Sequence, residues 1–176
     1  MGRFRIAILA LLGFVGSILL TLMILYIVWH PHQENVEIFT GVGVIEDVEV
    51  TDTFEPVMFV TSGQARFCKN GNPITLISGR YEVVYFVQFA SSGLAGGNVA
   101  TVQAQVEIDT HVVEESKSRS VITKHPNKTV YTQVGKTVIV HILEENTLHV
   151  KFARATGTTQ MVMIGAQSSI LIKKIS

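Results

Sequence analysis

Residues 80–90, Arg-Tyr-Glu-Val-Val-Tyr-Phe-Val-Gln-Phe-Ala, decide how the chain is to be read. At a period of two, Tyr81, Val83, Tyr85, Val87 and Phe89 fall on one side, and Glu82, Val84, Phe86 and Gln88 on the other. The first set is wholly aromatic or branched; the second is mixed. Such a strand belongs in the middle of a sheet, one face in a core and the other partly covered.

The same pattern extends outward in both directions. Upstream, strands are expected around Val42, Val44, Val48 and Val50, then at 57–60, 65–68 and 74–77, with Lys69-Asn70-Gly71-Asn72-Pro73 as a turn. Downstream, 91–98 reads as a flexible loop. Residues 99–108 set Ala100, Val102, Ala104, Val106 and Ile108 against Thr101, Gln103, Gln105 and Glu107, a half-exposed strand. Residues 114–127 are polar and read as a surface connection. Further strands are expected at 130–134, 137–143, 147–153, 161–164 and 169–175, with Val134-Gly135-Lys136 and Glu144-Glu145-Asn146 as tight turns. About ten short strands with regular turn signals predict a mainly β fold, an antiparallel jelly-roll sandwich.

One segment stands apart. Residues 6–29, IAILALLGFVGSILLTLMILYIVW, run for 24 positions without a charge. At about 1.5 Å per residue this is a transmembrane helix of about 36 Å, enough for a core of about 30 Å. Arg3 and Arg5 precede it, and no Lys or Arg follows before Arg66, which puts the N-terminus inside and the β domain outside. Tyr26 and Trp29 suit the outer membrane interface. A cleaved signal would carry a shorter apolar core and an Ala-x-Ala-like site. The expected organisation is a short inner tail at 1–5, the transmembrane helix at 6–29, a linker at 30–35 and a β jelly roll at 36–176. No Gly/Ser stalk separates helix and domain, so the lipid bilayer is the first expected partner.

Charge is balanced, 14 bases against 14 acids, but unevenly spread. Seven acids and no base lie from Glu34 to Glu55, and 12 bases against seven acids follow from Arg66 onward. Without a concentrated basic stripe, nucleic acid is not an expected partner. Cys68 is the only cysteine, so no intrachain disulfide can form; it reads as a buried apolar thiol.

No nucleotide-binding loop, nucleophile elbow, zinc-peptidase helix or calcium loop is present. The chain is read as a non-enzyme without cofactor or small-molecule substrate. The best chemical pair is His141 and His149. A three-residue loop at 144–146 would set Leu143 opposite Thr147 and His141 opposite His149, about 5 Å apart at Cβ. Two ligands fall short of the three or four that zinc takes, and a plain polar face is the other reading. Asn127-Lys128-Thr129 is a glycosylation acceptor triplet.

Three pieces carry a family resemblance: Gly79-Arg80-Tyr81-Glu82-Val83-Val84-Tyr85, Val134-Gly135-Lys136-Thr137-Val138-Ile139-Val140, and the closing Ser169-Ile170-Leu171-Ile172-Lys173-Lys174-Ile175. Their order resembles the jelly roll of tumour necrosis factor ligands and complement-type globular heads. That resemblance implies a compact homotrimer, with Tyr81, Tyr85 or Phe86 either near its threefold axis or in the core. A type II anchor agrees with it; the missing stalk departs from it. Two functions follow as expectations. One is a non-enzymatic structural protein that connects a virion's inner membrane to an overlying capsid shell. The alternative is a type II cell-surface trimeric ligand or adhesion module.

Overall fold

Two antiparallel sheets contain the strands of the computed structural model, which describes residues 37–44, 46–62, 68–69, 73–91 and 99–175. In chain order the strands are β1 (Ile38–Gly43), β2 (Asp47–Glu49), β3 (Glu55–Pro56), β4 (Phe59–Ser62), β5 (Cys68–Lys69), β6 (Ile74–Leu76) and β7 (Gly79–Ser91). There follow β8 (Val99–Ile108), β9 (His111–Val112), a 3-10 turn at Glu114–Ser116, β10 (Ser118–Thr123), β11 (Val130–Ile142), β12 (Asn146–Gly157) and β13 (Met161–Lys174). The first sheet runs β11-β7-β13-β1-β4, with β2 also on β13. The second runs β10-β8-β12-β6-β5, with β9 on β8 and β3 on β12.

The chain divides into two units, Met1–Asn35 and Val36–Ser176, and every described residue belongs to the second. The expected transmembrane helix, the linker, Arg3, Arg5, Tyr26, Trp29, the loop at 92–98 and the side chain of Cys68 lie outside the described residues.

The alternation at 80–90 makes β7 the central strand of the first sheet, between β11 and β13. Tyr81, Val83, Tyr85, Val87 and Phe89 are fully buried between the sheets. Facing them are Val102, Ala104 and Val106 of β8, Leu148, Val150 and Phe152 of β12, and Ile74 and Leu76 of β6. Phe89 and Phe152 meet edge to face at 6.0 Å across the sandwich. Each such burial contributes about 1.5–3 kcal/mol, and the single continuous core does the work that disulfides do in smaller extracellular modules.

Three local expectations are corrected by the fold. Val134-Gly135-Lys136 is not a turn: β11 is continuous over 13 residues and pairs with β7 along its whole length. A Cβ on Gly135 would collide with the Phe86 ring, so glycine here seats an aromatic ring from the neighbouring strand and does not reverse the chain. The 114–127 stretch is not only a connection, because β10 forms in it and pairs with β8. Its alternation was masked by a single large inward residue, Ile122. The strands expected at 161–164 and 169–175 are one strand with a bulge between Ile164 and Ser169. Within the bulge, buried Ser168 donates from Oγ to the Ile164 carbonyl at 2.9 Å and accepts from the Gln88 N–H at 3.1 Å. These bonds satisfy groups that the broken ladder would otherwise strand. Gly165 in the same bulge passes so close to the Val44 carbonyl that no Cβ would fit.

Candidate functional site

The second sheet separates the histidine pair. In a jelly roll successive long strands alternate between sheets, and here β11 lies in the first, β12 in the second and β13 in the first. The 144–146 segment therefore crosses the end of the sandwich instead of closing a hairpin. His141 pairs with Arg80, whereas His149 pairs with Glu107, so the expected juxtaposition does not form. Among the described residues no group of three His, Cys, Asp or Glu side chains converges as metal ligands.

What surrounds His149 is a polar row on the outer face of the second sheet. Glu107 and Gln105, expected to be half-exposed, are buried. Lys151 Nζ meets Glu107 Oε2 at 2.5 Å, and Gln105 Nε2 donates to Glu107 Oε1 at 2.9 Å. The carboxylate thus has both oxygens satisfied, as a buried charge requires. Sequence reasoning missed this cluster because its members come together only through the β8–β12 register.

His149 titrates below its ordinary value of 6.5, chiefly because it is desolvated and secondarily because of Lys151; Glu107 and Asp109 pull the other way. The folded imidazole therefore resists protonation that the unfolded chain accepts. Its contribution to stability is full above about pH 6.5 and is lost as pH falls through the lower folded value. The melting temperature should fall between pH 7 and pH 5, and His149→Gln should remove part of that slope. Identical slopes in the two proteins would refute the assignment.

His149 also borders a cleft of about 110 Å³ formed with Pro56, Val57, Phe59, Pro73 and Leu148. Small-molecule sites usually span about 300–1,000 Å³, so this cleft has room for one side chain and not for a metabolite.

The outer face of the first sheet is of another kind. Register places Gly135, Phe86, Ser169, Val42 and Val60 in one row across β11, β7, β13, β1 and β4. The next row holds Thr137, Val84, Leu171 and Thr40, and the row beyond it Ile139, Glu82, Lys173 and Ile38. Phe86 is 40% exposed, Val42 49%, Ile139 53%, Tyr131 57% and Val60 63%. These exposed apolar side chains share one sheet face, with Ser169, Thr137, Glu82 and Lys173 among them. Of the three aromatics considered for a threefold axis, Tyr81 and Tyr85 belong to the core, and Phe86 lies on this face. The sequence signal was present in the apolar content of the second face of β7. Asn127 lies on an exposed turn between β10 and β11.

No protein-family model and no curated protein matches the sequence. Solved structures match its fold. Murine APRIL at pH 8.0 superposes with a TM-score of 0.54 at 12% identity, over 80% of this chain and 100% of its own. The pH 5.0 structure of murine APRIL gives 0.53 with the same identity and coverage. Eiger TNF from S. frugiperda gives 0.50 at 10% identity, over 80% of this chain and 93% of its own. At these identities the likeness concerns architecture, not activity. The β domain of this chain has the tumour-necrosis-factor-like jelly-roll fold.

Proposed function

We propose that this chain is a single-pass type II membrane protein whose β domain acts outside the membrane as a non-catalytic trimeric ligand or adhesion module. The observation that carries the reading is the apolar outer face of the first sheet. A row from Phe86 to Val60 that is left exposed among the described residues is suited to burial against other copies of itself. The tumour-necrosis-factor-like fold supports the same class, and residues 6–29 with Arg3 and Arg5 support the anchor. The test is the protein mass of the full chain in a mild nonionic detergent, by light scattering with the detergent contribution subtracted. Three copies are expected. A monomer at micromolar concentration overturns the reading.

A second reading rests on one sequence feature. The linker at 30–35 is only six residues, which suits a connector between an inner virion membrane and a capsid shell better than a ligand that must reach outward. It predicts a monomer in detergent and recovery of the protein with purified particles.

A further inference from the structure

The β domain carries opposite charge on two of its edges. From Ser116 to Leu143 the chain has five bases, Lys117, Arg119, Lys124, Lys128 and Lys136, and no acid. From Glu37 to Glu55 it has six acids and no base. The fold puts these stretches far apart on one domain. β11 forms one edge of the first sheet, and β10 lies against it: Ser120 Oγ and Thr132 Oγ1 share a hydrogen bond at 2.6 Å, and Lys136 Nζ donates to the Lys117 carbonyl at 3.3 Å. β1, β2 and β4 lie on the opposite side of β13.

Part of each charge is already used within the chain. Asp52 pairs with Arg154 at 2.7 Å, Glu55 accepts from the Thr51 hydroxyl at 3.2 Å, and Glu49 adds to the field at Arg154. Lys117 pairs with Glu114 at 2.7 Å, and Arg119 donates to Gln103 at 3.2 Å. What remains is Glu37, Glu46 and Asp47 on one side and Lys124 and Lys128 on the other. None of these five side chains has an ion pair among the described residues, and Glu46, Asp47 and Lys128 are exposed.

Register sets the two strips level along the strands. Glu49 pairs with Val162, Val162 with Ala90, and Ala90 with Tyr131, three positions after Lys128. Exposed apolar side chains accompany each strip: Val121 and Tyr131 near the bases, Val42 and Val60 near the acids. A contact that set like edge on like edge would oppose charges of one sign, whereas unlike edges attract at the same height. Repeated head to tail, such a contact closes into a ring of three where each step turns by a third of a full rotation.

We propose that the basic β10–β11 edge is occupied by the acidic β1–β2 edge of a second copy of this chain, so that assembly is head to tail and oriented by these charges. This rests on the trimer reading and adds to it which surfaces meet. The covered apolar face provides area; the charges select register and the neighbouring edge.

Charge reversal tests it on the full chain in detergent, at about 50 mM salt so that screening is weak. Lys124→Glu with Lys128→Glu, and separately Glu46→Lys with Asp47→Lys, should each raise the trimer's dissociation constant at least about tenfold, the shift shrinking at about 1 M salt. Carrying all four substitutions in one chain should restore the mass profile. Circular dichroism melts check that each variant remains folded; if the fourfold variant does not, the two single-edge variants decide. A wild-type trimer insensitive to both reversals overturns this proposal and leaves the trimer reading standing. A wild-type monomer overturns both. Binding of the wild-type trimer to anionic vesicles through Lys124 and Lys128, with no change in trimer stability on reversal, would give the basic edge a different occupant and overturn the proposal.

Discussion

Phe86→Glu should convert the proposed trimer to monomers while the domain stays folded. Phe86 lies at the centre of the outer face of the first sheet, between Gly135 of β11 and Ser169 of β13, with Val84 and Leu171 in the adjoining row. A carboxylate at that point would have to leave water without a partner whenever copies associate, at a cost of several kcal/mol. The expected dissociation constant rises at least about 100-fold, about 2.7 kcal/mol. Within one domain the loss is smaller, because the outward ring covers the bare backbone at Gly135 but no core residue depends on it; roughly 1 kcal/mol is expected. Phe86→Leu, which keeps the apolar surface, should retain the trimer. Light scattering across a dilution series separates these cases, and a Phe86→Glu protein that keeps the wild-type mass would remove this face from the interface.

The largest effect on folding is expected at Tyr85, one residue away and on the opposite side of the same strand. Its ring is fully buried, and its hydroxyl reaches across the sandwich to the Ala104 carbonyl at 3.1 Å and the Ser116 carbonyl at 2.5 Å. Burial raises its pKa well above the ordinary value of 10.0, so the phenol keeps its proton and its donor role throughout the physiological range. Ser116 in turn accepts the Val106 N–H at 2.7 Å and donates to the Val113 carbonyl at 2.5 Å. One phenol thus fixes the 3-10 turn at Glu114–Ser116 to both sheets. Tyr85→Ala removes the ring and the tether together, a loss of about 3–5 kcal/mol or more against a typical total of 5–15, and most of the protein should fail to fold at 37 °C. Tyr85→Phe keeps the ring and strands the two carbonyls, at about 1–3 kcal/mol. Urea unfolding of both variants measures the difference. A Tyr85→Phe midpoint equal to wild type would show that the hydroxyl contributes nothing to holding that turn.

Adjacent residues with opposite consequences explain why parts of this protein were legible in its sequence. Tyr85 and Phe86 differ in role because a strand sends neighbouring side chains to opposite faces, and that period is local. The burial of Tyr81, Val83, Tyr85, Val87 and Phe89 and the apolar second face of β7 follow from it. The same reasoning went wrong where meaning depended on a distant partner. Gly135 looked like a turn residue because glycine is common in turns; it is a strand residue because Phe86, far earlier in the chain, lies over it. Glu107 and Gln105 looked solvated because an alternating strand usually has a wet face; they are buried because Lys151 arrives from β12.

The histidines mark the boundary most clearly. Local spacing allowed a hairpin at 144–146, and a hairpin would have put His141 beside His149. Whether two consecutive strands pair or pass to different sheets is set by the packing of the whole core, which no window of a dozen residues contains. By itself, then, the sequence determined that the chain is β, which face of its central strand is core and that one 24-residue stretch has the length and apolarity of a membrane span. Only the tertiary structure decided which strands are neighbours. With that it decided the apolar rows of the outer face and the buried Glu107–Lys151 pair, because each is made by residues that strand pairing brings together from far apart in the chain.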